Sequence, residues 1–191
     1  MAARLGIHRE DVIEAAVELL EELGDPAAVS LGLLAQRVGV RPQSLYAHVD
    51  GASGLRKELA CRGLDALAEA VTGAAIGLAP DEALAAVVRA HFDFALTRPG
   101  LYAAAIHPPG DDPVLRDAVE RVGRPLETVL RRHGVGETGR VHWTRTILAT
   151  VYGFMLLQRD GQLTRPVDAE RTVDHMVTML TTQVERTTVS G

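Results

Sequence analysis

Val29–Val49 reads VSLGLLAQRVGVRPQSLYAHV, two short apolar-periodic segments hinged on Gly39-Val40 and ending in Tyr-Ala-His. Ser30 is a good helix N-cap, and Gly39 suits the left-handed residue that ends a helix, so Ser30–Val38 is predicted as one helix. Arg41-Pro42 opens a second, proline being tolerated in a first turn, and it runs to about His48. Two helices joined by so tight a turn make demands on particular positions. A small residue must stand at the crossing, and Ala35 does. The turn needs positive φ, which Gly39 supplies. Apolar side chains must fill the wedge, and Leu34, Val38, Val40 and Leu45 fall at the required spacings. The pattern is that of a helix-turn-helix.

Two short helices could simply pack as part of a core, and that accounts equally for Leu34, Val38 and Leu45. It accounts less well for the outer face of the second helix. There Arg41, Gln43, Ser44, Tyr46 and His48 cluster, with no acid from Gln36 to Val49, whereas solvated faces favour Glu and Lys. Contact with phosphate requires such a surface. In helix-turn-helix docking the start of the second helix meets base edges. Arg41 then suits guanine, Gln43 adenine, and Ser44 either base or phosphate. Tyr46 and His48 lie further along and are placed to donate to phosphate oxygens, which position without specifying. Ser30 and the N–H groups that start its helix form a phosphate seat. Arg4, in the N-terminal arm, is a candidate for an adjacent minor groove.

The rest of the chain sets limits. Its 191 residues suffice for one domain or a small module fused to a larger one. Aromatics are only 4%, β-branched runs are scarce, and Ala and Leu abound, which points to all-α. Cys61 is the one cysteine, so no intramolecular disulfide forms. The start lacks the apolar core of a signal peptide, and the longest apolar run, Ile147–Leu157, is too short to span a bilayer. A soluble cytoplasmic protein with no membrane partner is expected. The net charge of −5 excludes a nucleic-acid binder that uses its whole surface, but not a local basic face. Seven of the nine acids in residues 1–60 fall between Glu10 and Asp25, while from Gln36 to Lys57 there are Arg37, Arg41, Arg56 and Lys57 against Asp50 alone.

Helical periodicity organises the remainder. Arg9–Leu23 carries Ile13, Ala16, Val17 and Leu20 on one face, with Glu14, Glu18, Glu21 and Asp25 on another, read as solvated. A long helix from about Ala52 follows. Further helices are predicted at Asp81–Thr97, Leu101–Ile106, Val114–His133 with Pro125 a kink or boundary, Arg140–Arg159 and Asp168–Glu185. The expected architecture is an all-α chain. An N-terminal helix-turn-helix domain (1–50) is joined by a linking helix (51–72) to a larger helical bundle (73–191).

The order of elements resembles the tetracycline-repressor (TetR) family of transcriptional regulators. One amphipathic helix is followed by SLGLLAQRVGVRPQSLYAHV and a long linking helix, and Leu45-Tyr46-x-His48 is the most family-like piece. The resemblance covers roughly the first 70 residues. It implies a homodimer on a palindromic operator, with Gln43, Ser44, Tyr46 and His48, and Arg41 beside them, as contacts. It also implies a C-terminal four-helix dimer interface, here from helices 140–159 and 168–185, and a small-molecule effector that tilts the linking helix and releases the DNA. Two positions depart from the pattern: the family often has an aromatic where Val49 stands, and a phosphate-gripping lysine where this chain has Ala52. Arg56 and Lys57 lie one turn on.

In the C-terminal half, polar-tipped bulky residues suit a pocket: His91, Phe94, Tyr102, His107, Trp143, Tyr152, Met155 and Met176. They suit a plain core as well. Ile147–Leu157 is apolar nearly all round, as for a helix buried on several sides. Neither Glu-x-x-His nor His-x-x-x-His occurs, and there is no phosphate loop or nucleophile elbow. No metal, cofactor or catalytic residue is therefore expected. The resulting reading is a ligand-responsive regulator, in repressor form. The alternative is a helical small-molecule-binding protein without specific DNA binding, which the acidity and Ala52 favour slightly.

Overall fold

A computed structural model describes residues 7–106 and 108–189. Among them are nine helices and no strand: α1 (Arg9–Leu23), α2 (Leu31–Val38), α3 (Pro42–Leu45), α4 (Gly51–Ala75), α5 (Pro80–Thr97), α6 (Pro99–Ala105), α7 (Pro113–Arg132), α8 (Glu137–Arg159) and α9 (Ala169–Val189). No described helix is long and apolar enough to cross a membrane. Pro125 lies inside α7, which is continuous through it.

Two compact units emerge: residues 1–65 with 98–118, and residues 66–97 with 119–191. The first therefore takes in α6, which the sequence placed with the C-terminal bundle. Its cause is a close backbone contact. Gly100 sits so near α1 that a Cβ there would lie 2.5 Å from the carbonyl oxygen of Leu20. The Glu21 carboxylate accepts hydrogen bonds from the N–H groups of Gly100 (2.9 Å) and Leu101 (3.3 Å) and from Nε of Arg98 (3.1 Å). An acid at a helix start satisfies donors that the helix itself cannot. Gly63 of α4 meets the other side of α6 against the carbonyl of Leu101.

The core of the first unit comes from α1, which buries Val12, Ile13, Ala16, Val17, Leu19 and Leu20. Leu34, Ala35, Leu45, Leu55 and Leu59 are buried with them. At about 1.5–3 kcal/mol for each large aliphatic side chain, this burial outweighs any surface pairing in the unit.

In the second unit α5 packs on α8 and α9. Phe92 meets Phe154 edge-on, ring centroids 6.0 Å apart at 73°, a favoured aromatic geometry. Ile147, Val151, Val173, Leu180 and Val184 complete the core. One face of α8 is buried within the chain. Leu148, Tyr152 and Leu157 are exposed elsewhere on it, as is Met179 on α9.

His91 is 1% exposed. Its Nδ1–H donates to the Val87 carbonyl at 2.9 Å. Burial, opposed by that hydrogen bond, holds the imidazole below its ordinary 6.5. The folded chain thus keeps it neutral where the unfolded chain would bind a proton. Stability is present above about pH 6.5 and is lost as pH falls through that value. Denaturant titrations over that range should show the loss in the wild type and a flatter profile in His91→Gln. Gly100→Ala should cost about 1–3 kcal/mol by overpacking, read as a lower denaturation midpoint. Gly73→Ala, where a Cβ meets nothing within 4 Å, should stabilise the chain by up to about 1 kcal/mol.

Candidate nucleic-acid interface

The turn between α2 and α3 is built by local chemistry. Ser30 is extended (φ −107°, ψ 155°) and its side chain accepts the Leu33 N–H at 3.2 Å, capping α2. Gly39 closes the helix at φ 71°. The Gly39 N–H donates to the Gln36 carbonyl (3.3 Å) and the Val40 N–H to that of Ala35 (3.0 Å), the paired bonds of a Schellman ending. Arg41 is extended (φ −78°, ψ 145°) and Pro42 enters α3 behind it. Leu34 and Leu45 are fully buried and Ala35 is 2% exposed, so wedge and crossing residue sit as the sequence placed them. Val38 and Val40 are only half-buried.

Outside this wedge stand the residues named for DNA. Ser30, Arg41, Gln43, Ser44 and Tyr46 are exposed, and His48 is half-buried. Tyr46 is 63% exposed, an aromatic ring held in solvent in a unit that buries most of its apolar bulk. Regular helix ends at Leu45, Tyr46 being its C-cap, so α3 is shorter than the predicted run to His48. The chain continues in turns, with the His48 N–H donating to the Leu45 carbonyl at 2.8 Å. Arg4 lies outside the described residues.

Ion pairs sort the cations of this unit. Arg37 pairs with Glu22 and, at 3.4 Å, with Glu18. The hydrogen bond with Glu22 pushes the Arg37 guanidinium up and the carboxyl down from their ordinary values. Arg62 pairs with Glu10 and lies 3.9 Å from Glu14, and its hydrogen bond with Glu10 raises it likewise. Lys57 meets Asp112 at 2.5 Å, raising the amine and lowering the acid, chiefly through their hydrogen bond. Several acids of the solvated face of α1 thus also serve as counter-ions, their side chains remaining more than half exposed. The signal was there, since Glu10, Glu14, Glu18 and Glu22 recur every four residues. Arg41 and Arg56 are exposed and have no ion pair among the described residues. Ala52 and Arg56 stand four apart on α4, hence on one helix face. A helical side chain leans toward the N-terminus, so Arg56 covers the turn where Ala52 offers no cation.

The residues named for a pocket are dispersed. His91 and Phe94 are buried in α5, and Tyr102 is buried in the first unit. Trp143, Met155 and Met176 are half-buried, and Tyr152 is 45% exposed. His107 lies outside the described residues. None of the described ones lines the cavity of about 840 Å³ in the second unit, whose walls come from residues 68–76 of α4 and its end and 121–132 of α7.

Comparison with known proteins accords with this geometry. A family model described as "Tetracyclin repressor-like, C-terminal domain" matches residues 84–180. The uncharacterised HTH-type transcriptional regulator YobS of Bacillus subtilis (strain 168) is 30% identical over 157 residues, 82% of each chain. The chain belongs to the TetR family of transcriptional regulators. Among solved structures, a protein of unknown function from Rhodococcus sp. RHA1 superposes with a TM-score of 0.78 at 21% identity, covering 96% of this chain and 98% of that one. BioQ, in a crystal structure with its natural double-stranded DNA operator, gives 0.65 at 24% identity over 94% and 98%. Both likenesses in fold cover nearly the whole chain.

The cap supplies a test of the local account. Ser30→Ala should lower stability by about 0.5–2 kcal/mol, measured by chemical denaturation. Ser30→Asp, which keeps an acceptor, should retain most of it.

Proposed function

We propose that this TetR-family regulator binds a palindromic operator as a homodimer, and that a small-molecule effector releases it, giving repression. The observation that carries the DNA reading is the charge sorting of the first unit. Glu22, Glu10 and Asp112 are engaged with Arg37, Arg62 and Lys57, while the outer face from Arg41 to Tyr46 keeps donors exposed. Arg41 and Gln43 at the start of α3 are the base readers, with Ser44 beside them. Tyr46, His48 and the Ser30 helix start meet phosphate, and Arg4 is a candidate minor-groove contact. The BioQ complex with operator DNA supports the assignment of partner. Exposed Leu148 and Tyr152 on α8 and Met179 on α9 support a homodimer through residues 140–159 and 168–185, because a fold this small does not keep so much apolar surface in water without use. Continuity of α4 from Gly51 to Ala75 supports it as the coupling element, and a coupling of about 1–3 kcal/mol suffices for release.

Selection of bound duplexes from a random pool tests this reading. Wild type should enrich a palindrome, and Arg41→Ala/Gln43→Ala should not; failure of the wild type at low salt would reduce the helix-turn-helix to scaffold. With the operator in hand, Arg41→Ala should relax preference at one base position, with a discrimination loss of about 1–3 kcal/mol. Tyr46→Phe should weaken binding about equally across sequences.

A further inference from the structure

The cavity of the second unit, about 840 Å³, is of small-molecule size, the usual span being about 300–1,000 Å³. Its α4 wall is cut from small residues. Ala68 and Gly73 contribute almost no side chain, and a Cβ added to Gly73 would meet nothing within 4 Å. At its end stands Ile76, 74% exposed, more than any other large hydrophobic among the described residues. The α7 wall has another character. Arg121, Arg124 and Arg132 line it around Pro125 and Thr128, at spacings that keep them on one helix face. Pro125 lacks an N–H and cannot close the helical bond to the preceding turn. Glu69 is the one acid among the lining residues, against those three arginines.

An apolar floor beneath a cationic rim matches an amphiphile with an anionic head. Guanidinium is planar and binds carboxylate through two parallel N–H···O bonds, while its alkyl stem covers apolar surface. Arg121 and Arg124 also carry interactions within the protein, so a bound carboxylate shares their donors with those partners.

We propose that this cavity binds a small apolar carboxylate, its head on Arg121, Arg124 and Arg132 and its hydrocarbon part along Ala68, Gly73 and Ile76. The proposal rests on the ligand-responsive reading above and gives that reading its effector class.

Calorimetric titration of the full chain with octanoate, octanamide and octylammonium tests it without DNA. Octanoate should bind, and octanamide should bind roughly tenfold or more weakly, as loss of a charge-assisted pair dictates. Arg121→Gln/Arg132→Gln should impose a similar loss on octanoate alone. Glu69→Gln should tighten octanoate by about two- to fivefold. Gly73→Leu should fill the cavity and abolish binding while leaving the melting temperature equal or higher, since leucine is the better helix former. Equal binding of octanamide or octylammonium, no binding by any of the three, or octanoate binding that survives Gly73→Leu would each overturn the proposal. So would an oligomeric state that Gly73→Leu changes with no probe bound, which would assign the groove to a second copy. The underlying reading fails separately. Octanoate that binds but leaves operator affinity unchanged argues against ligand response and spares the site. Operator release by an uncharged compound, with octanoate silent, does the reverse.

Discussion

The carboxylates of α1 organise the N-terminal unit. One face of that helix is apolar and buried, and its burial supplies the stability. Exposed ion pairs are worth about 0–1 kcal/mol each, so the pairs of Glu22 with Arg37 and Glu10 with Arg62 matter less for stability than for where charge is left. Glu21, turned to the start of α6, joins that helix to the unit through its backbone N–H groups. Part of an acidic segment that looks hostile to DNA is thereby paired with cations of the same unit. What remains uncompensated is the short face beginning at Arg41, with Arg56 a turn beyond Ala52.

The same separation of tasks runs through the second unit. Residues with large apolar side chains on α5 close a core against α8 and α9, leaving one face of α8 unburied. The cavity is made in the opposite way, by omission. Alanine and glycine on α4 and a proline on α7 leave space, and arginines give that space a sign. A buried, neutral His91 is a cost accepted inside the core, which ties the stability of this unit to pH.

Much of the fold was legible because its signals are local. The limits of α1, the Ser30 cap and the Gly39 ending depend on residues within one helical turn of each other, and the sequence states them directly. Ala35 and Leu45 were legible for the same reason, since the turn fixes their neighbours. The attachment of α6 to the first unit was not, because it depends on a backbone contact between Gly100 and Leu20, eighty residues apart in the chain, that leaves no periodicity. The full helical run to His48 was overread, since Tyr46 already caps α3 and the chain turns after it. Aromatic and methionine residues pointed to a pocket only by type. The cavity of the second unit is lined by small residues and arginines, which composition cannot single out. The acids of α1 were visible as a four-residue repeat, but their partners Arg37 and Arg62 lie on other helices.

The central claim is that internal pairing decides which cations reach DNA, and the salt dependence of operator binding tests it most directly. Each phosphate contact contributes about one to the slope of log K against log salt. The account predicts that Arg56→Ala lowers the slope by about one, whereas Arg37→Ala leaves it unchanged. A slope that falls with Arg37→Ala and is indifferent to Arg56→Ala would contradict it.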